Sequence, residues 1–280
     1  MKKRKTTAIA VLMILTGLSL LLYPIVSDYL RNLAFRRVIS DYAADVEPMD
    51  EEKNAELLAA ARTYNERLAG KVGPLLALSD EEQAQYNSLL KIDSTGIMGY
   101  LSIPQVNISL PIYHGIDAGV LQSGVGHLES TSLPIGGPGT HAVLTAHTGL
   151  PSAKLFTNID RLAEGDTFTL RVLKETLTYQ VDQIQVVLPE QTDALLIQPG
   201  EDCCTLVTCT PYGVNTHRLL VRGHRVPTLP ELEQTVGLEK ETMGLDAEPA
   251  LLIIAALLLT LLMSLRWRKQ MWKWAKRLTK

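Results

Sequence analysis

The chain carries an apolar run near each end and changes texture between them. Ala8–Val26 holds 19 residues without a charge. As a helix rising 1.5 Å per residue it spans roughly 28 Å, about the thickness of a bilayer core. A second uncharged run, Ala250–Leu265, has 16 residues, and Pro249 and an interfacial Trp267 extend it. In between, Leu57, Ala61, Tyr64 and Leu68 recur at helical spacing, which predicts a helix with one apolar face and Asp50 as its N-cap. Ser79 followed by Glu82 is a capping-box pattern that opens a short helix toward Leu90. Between these helices, 70–79 is broken by glycines and a proline yet carries Leu75, Leu76 and Leu78. A loop that apolar should rest on something: the main core, or a cleft over which it acts as a lid.

From Gly96 onward short β-branched runs are separated by Gly, Pro and Asn. They are Tyr100–Ile103, Ile108–Tyr113, His141–Ala146, Thr167–Leu173, Leu177–Val187, Thr205–Thr210 and Leu219–Val226. Lys174, Glu175 and Thr176 look like a hairpin connection between two of them. Seven strands with little helix among them predict a mainly β domain, closed or sandwich-like. Gly136-Gly137-Pro138-Gly139 is a turn; it lacks the Lys-Ser/Thr that a phosphate loop needs.

Charge sharpens this picture. The formal net charge is only -3, but the ends and the middle differ. Lys2, Lys3, Arg4 and Lys5 precede the first apolar run, and seven basic residues follow from Arg266; neither tail holds an acid. That leaves 16 basic residues against all 30 acidic ones in the middle. A middle so acidic would repel phosphate, which excludes nucleic acid as its partner. Basic residues accumulate on the cytoplasmic side of a membrane, so both tails are expected inside and residues 28 to 248 outside. A cleaved signal peptide is the rival reading of Ala8–Val26, but no A-x-A site follows it. The expected organisation is a basic tail and first transmembrane helix (1–27), an extracytoplasmic helical segment with the possible lid (28–92), the β domain (93–228), a linker (229–248), and a second transmembrane helix with its basic tail (249–280). Three cysteines in 280 residues exclude a disulfide-stapled scaffold, and no C-x-x-C pairs or other ligand spacing predict a metal or cofactor.

Cys209 closes the run from Thr205 and is followed by a turn at Pro211-Tyr212-Gly213, where a nucleophile can be exposed. His147 closes the run from His141 in the same way. Arg218 lies nine residues past Cys209 at the start of a strand; alternation puts it on one face with Arg222, and His217 and Leu219 on the other. If that face looks inward, the guanidinium needs an anion or carbonyl to answer it. Each residue alone is weak evidence.

Together they resemble the sortase pattern: His147 in Thr-x-His, Cys209 in Thr-Leu-x-Thr-Cys, and Arg218 a short hairpin later. The stretch Leu206–Gly223 (LVTCTPYGVNTHRLLVRG) closely resembles class C sortases, the pilin-polymerising branch, as do Met98–Pro104, Leu110–Gly115, Gly126–Pro134 and Gly149–Phe156. The resemblance implies a sortase-like eight-stranded β-barrel with short helices, an N-terminal helical extension and a membrane helix at each end. It implies a transpeptidase whose partners are pilins or other surface proteins carrying an LPxTG-like sorting signal. Cys209 would attack the Thr–Gly carbonyl to give a thioester. An acceptor amine, from a pilin lysine or a peptidoglycan precursor, would then release it. His147 would be the general acid and base, Arg218 the stabiliser of the substrate carbonyl or oxyanion, and Thr145 and Thr208 substrate contacts. A free cysteine and a free histidine, with pKa values of about 8.5 and 6.5, each hold their charged form about 10% of the time near pH 7.5. Both are charged together in about 1% of molecules, which predicts a slow enzyme and a two-limbed pH profile unless the site favours the pair.

The chain also departs from the pattern. Its 70–79 loop lacks the Asp-Pro-aromatic triplet of a class C lid, and the usual Thr-Gly-His-Arg-Gly is here Thr145-Ala146-His147-Thr148-Gly149. Cys203 and Cys204 read as two small apolar side chains, with a vicinal disulfide as the alternative; six residues of strand, about 20 Å, keep Cys209 out of reach of either. His141 is the understudy should His147 not serve, while His114, His127, His217 and His224 read as structural or surface residues. A housekeeping sortase that anchors proteins to peptidoglycan, and a membrane-tethered scaffold that keeps only the fold, are the competing functions.

Overall fold

The computed structural model describes residues 2–69, 78–92, 95–229 and 266. The first helix, α1 (Lys2–Val46), runs unbroken for 45 residues. Tyr23-Pro24 lies inside it, because a proline deletes one N–H···O=C bond and leaves the flanking turns bonded. From Leu12 the helix is long and apolar enough to cross a membrane, and its most apolar stretch is unburied. The second apolar run, and Leu75 and Leu76 of the expected lid, lie outside the described residues. Leu78 is half-buried and packs on the main core.

Helix α2 (Glu51–Ala69) starts where Asp50 Oδ1 accepts the Lys53 N–H at 2.6 Å, as an N-cap should. Its buried stripe is Asn54, Leu58, Ala61, Tyr64, Asn65 and Leu68. The face is centred on Leu58, with Leu57 at its edge. Two buried asparagines explain the offset: an apolar count does not include them. Asn65 bonds reciprocally with Leu133, Nδ2 to the carbonyl at 3.1 Å and the backbone N–H to Oδ1 at 2.7 Å. Helix α3 (Asp80–Ser88) carries both halves of the expected capping box, Glu82 N–H to Ser79 Oγ and Ser79 N–H to Glu82 Oε2. Its fully buried Tyr86 hydroxyl accepts from Gly115 N–H at 3.1 Å and lies 2.9 Å from His127 Nδ1. The other ring nitrogen, Nε2, faces the Ser132 carbonyl at 2.7 Å. Both helices on either side of 70–77 are thus bolted to the 127–133 segment.

Eight strands follow: β1 (Ile97–Ile103), β2 (Ile108–His114), β3 (Val125–His127), β4 (Thr140–Thr145), β5 (Thr167–Val172), β6 (Glu175–Val187), β7 (Asp202–Thr210) and β8 (His217–Val226). They close into a barrel in the order β1-β2-β3-β4-β7-β8-β6-β5. The β2–β3 and β4–β7 pairs are parallel, the others antiparallel. All seven expected strands form. The eighth, β3, has three residues, too few for any alternation to register. A Cβ at its Gly126 would run into the Gly115 carbonyl, so only glycine lets β3 lie so close to that turn. The β5–β6 connection is Leu173-Lys174, not Lys174–Thr176, because Glu175 and Thr176 pair with Val172 and Arg171.

Leu101, Ile103, Leu144, Phe168, Leu170, Tyr179, Leu206 and Val221 fill the barrel, each fully buried. Outside, α1 covers β1: Tyr42 and Val46 pack on Ile97 and Tyr100. The Tyr42 hydroxyl donates to the Met98 carbonyl at 3.0 Å and accepts from Leu173 N–H at 2.8 Å. This covering explains why all of β1 is buried rather than alternate residues.

Candidate active site

Three adjacent strands, β4, β7 and β8, build the site. Ala142, Leu144 and Ala146, Cys204 and Leu206, and Leu219 and Val221 belong to the main core and so face inward. Alternation turns the residues between them outward. On that outer face Val207 lies between Thr145 and Leu220. One rung further, Cys209 pairs directly with Arg218. The β4 line continues past its last paired residue. Ala146 N–H donates to the Val207 carbonyl at 3.2 Å, and Thr208 Oγ1 donates to the Ala146 carbonyl at 2.8 Å. His147 stands two residues past Thr145, as Cys209 stands two past Val207, so the register carries His147 to the level of Cys209 and Arg218. All three are half-buried. Arg218 and Arg222 do share a face, and it is the outer one rather than the barrel interior.

The strand ends and turns fix each group. Phe156 N–H donates to the His147 carbonyl at 3.1 Å, and Phe156 itself is fully buried, which ties the histidine backbone to the core. Gly149 N–H donates to Thr157 Oγ1 at 3.1 Å. Gly149, at φ +75°, lies under Tyr212; a Cβ there would come within 3.1 Å of the ring. Tyr212 is otherwise 68% exposed and so brings the β7–β8 turn over the start of the His147 loop. Arg218 Nη1 donates to the carbonyls of His217 at 3.1 Å and Asn215 at 3.3 Å, which hold the guanidinium over the same turn.

Below this rung the outer face is apolar. Val143, Val207 and Leu220 form a floor, and Leu195 packs onto it from a 3-10 turn (Asp193–Leu195) between β6 and β7. Thr145 stands on this face with its hydroxyl donating to the Val207 carbonyl at 3.1 Å. Thr208 is different. It faces inward, is 4% exposed, and its hydroxyl holds the end of β4 against β7. Its place is beneath the site, where it shapes the site without lining it.

His141 lies on the same outer face but its ring is engaged at both nitrogens. Nε2 lies 2.7 Å from Thr205 Oγ1 and Nδ1 3.0 Å from the Leu196 carbonyl. Burial lowers its pKa. It is level with Cys203, six residues of strand from Cys209, or about 20 Å, so it cannot stand in for His147. Cys203 and Cys204 are free and buried. Burial pushes the Cys203 thiol up to about 11, with Arg222 opposing, and holds Cys204 well above its ordinary value. Among the described residues no group of three or more His, Cys, Asp or Glu is placed to hold a metal ion. Sequence reasoning missed Leu195 and Tyr212. Only Tyr212, beside the turn after Cys209, carried a signal that could have been read.

A free cysteine near the end of a barrel strand, with an arginine paired to it on one neighbouring strand and a histidine just past the end of the other, makes a site suited to acyl transfer through sulfur. The comparisons agree. Residues 101–226 match the sortase domain model. The crystal structure of sortase C1 from Streptococcus agalactiae is 52% identical, with a TM-score of 0.67, covering 69% of this chain and 100% of that one. A Streptococcus pneumoniae sortase C structure, described for its catalysis and pilin substrate specificity, is 42% identical with a TM-score of 0.62, covering 69% of this chain and 97% of that one. Sortase D of Bacillus subtilis is 28% identical over 148 residues, 52% of this chain and 72% of that protein. The chain belongs to the sortase family of cysteine transpeptidases, and both of these solved structures are class C sortases.

Proposed function

We propose that this protein is a membrane-anchored class C sortase that joins pilin subunits. In this reading Cys209 attacks the Thr–Gly carbonyl of an LPxTG-like signal. The C–N bond breaks, the glycine amine leaves with a proton from His147, and the acyl group stays on sulfur as a thioester. A lysine amine of the next subunit then attacks. His147 takes its proton, the C–S bond breaks, and an isopeptide bond results. Arg218 donates to the oxygen on which negative charge develops at each step, through the fixed planar fork of its guanidinium.

The observation that carries this reading is the Cys209–Arg218 rung, beside which the β4–β7 register sets His147. The likeness to class C structures supports the choice of a lysine acceptor. The exposed apolar start of α1 supports the anchor. The test offers the enzyme an LPxTG peptide with two competing amines, a lysine-bearing pilin domain and oligoglycine. The proposal expects a lysine-linked product that accumulates faster than the glycine adduct. A preference for oligoglycine would assign the chain to wall anchoring instead, and no transfer to either amine would remove the enzyme reading.

A further inference from the structure

The anchor helix touches the catalytic end of the barrel directly beyond the apolar run. Ser27 Oγ donates to the Ser152 carbonyl at 3.1 Å. Asp28 Oδ1 accepts the Lys154 backbone N–H at 2.8 Å, and its Oδ2 lies 3.4 Å from Lys154 Nζ. The Asp28 side chain is only 14% exposed, whereas that of Lys154 is 70% exposed. The exposed ion pair contributes little, but the hydrogen bond from a backbone N–H to a largely covered carboxylate is of the stronger, charge-assisted kind.

Residues 152–154 are not a remote loop. Leu150 bridges Ala153, and Phe156, two residues past Lys154, donates to the His147 carbonyl. Two residues of chain reach at most about 7 Å, so the clamp sits within one turn of the histidine backbone. The other end of the contact is equally fixed. Tyr42, fourteen residues along α1, holds Leu173 in the β5–β6 hairpin. Fourteen residues of helix rise about 21 Å. No break in α1 separates these points from each other or from the apolar run.

We infer that the barrel is carried with its catalytic end against the bilayer surface and its β5–β6 hairpin pointing away. The loop 148–156 lies at the lipid headgroup layer, to which Lys154 presents an ammonium group, and Ser27 and Asp28 are the positioning residues that set this pose. The inference rests on reading Ala8–Val26 as the anchor. Its consequence is that a scissile segment meets Cys209 at the membrane surface rather than some 20 Å above it.

The test uses the full chain with Cys209→Ala, so that a single added thiol can be labelled while Cys203 and Cys204 stay buried. Fluorophores are placed at Pro151→Cys or Glu175→Cys, and the protein is inserted in phosphatidylcholine–phosphatidylglycerol vesicles with nitroxide on the headgroups. Quenching at 151 should exceed that at 175 at least threefold, and Ser27→Ala with Asp28→Ala should bring the two together while the thermal transition is retained. Equal quenching at the two positions, or stronger quenching at 175, overturns the inference even when the protein floats with the vesicles. Failure to float removes the anchor and the inference together, yet leaves peptide transfer by Cys209 standing. If the double substitution leaves the quenching ratio unchanged, the assignment of Ser27 and Asp28 is wrong.

Discussion

The outer face of β4, β7 and β8 carries a histidine, a cysteine and an arginine twice. His147, Cys209 and Arg218 stand at its upper end. His141 and Cys203 share a rung six residues below, with Arg222 on β8 next to it. The lower set is closed. His141 is engaged at both ring nitrogens, Cys203 is 4% exposed with its thiol pushed up to about 11, and Arg222 makes a bidentate pair with Asp182 at 2.9 and 3.0 Å. The upper set is half-buried beside two turns, with Cys209 free and more accessible. The same three residue types thus stabilise a sheet in one place and, in the proposed function, form a reactive site in the other. The difference is made by strand ends: where pairing stops, side chains keep a fixed base and gain access to a substrate.

The comparison can be broken most decisively at sulfur. Cys209→Ala should reduce peptide transfer by at least about 10³-fold, whereas Cys203→Ala should leave it within about twofold. A comparable loss in both would erase the distinction. The histidines come next. His147→Ala should lower kcat by about 10²–10⁴-fold with little change in stability. His141→Ala should instead lower stability by about 1–3 kcal/mol in urea unfolding, because the Leu196 carbonyl and Thr205 hydroxyl lose a partner. For the arginines, Arg218→Ala should lower kcat/KM by about 10²–10³-fold, and Arg218→Lys should recover only part because it lacks the planar fork. Arg222→Ala should leave turnover in place and cost about 1 kcal/mol, since its pair with Asp182 is partly exposed.

The last effect concerns acid. Burial lowers the His127 pKa to about 4, and lowers that of His141 as well. A histidine in the unfolded chain takes up its proton near 6.5, so below that pH the unfolded state binds more protons than the fold. Stability is therefore complete above about pH 6.5 and falls as the pH drops toward 4, by about 3 kcal/mol for His127 alone. Urea unfolding at pH 7 and pH 4.5 should show the decline, and His127→Gln should flatten it. A stability that rises on acidification would contradict this account.

Most of the barrel was legible because its strands are long enough to show period two, and the capping box because two residues at fixed spacing make two specific bonds. The three chemical residues were legible as a motif. Their meeting was not, since it depends on the parallel β4–β7 register and the antiparallel β7–β8 register, which join residues 62 and nine positions apart. Local pattern carries no information on which strands lie side by side. It failed likewise for β3, whose three residues depend on a glycine fitting against Gly115, and for His141, whose burial comes from the distant Leu196 carbonyl. Thr208 looked like a site residue by its neighbour; strand alternation places it beneath the floor instead.

The central claim is that Cys209 carries the acyl group. Mixing the protein with an LPxTG peptide, quenching in acid and taking the intact mass, followed by digestion, tests it directly. A mass increase equal to the peptide up to its threonine, less water, that maps to Cys209 and disappears with hydroxylamine is the predicted result. An unmodified protein that nonetheless releases the glycine fragment, or an adduct on Cys203 or Cys204, would contradict it.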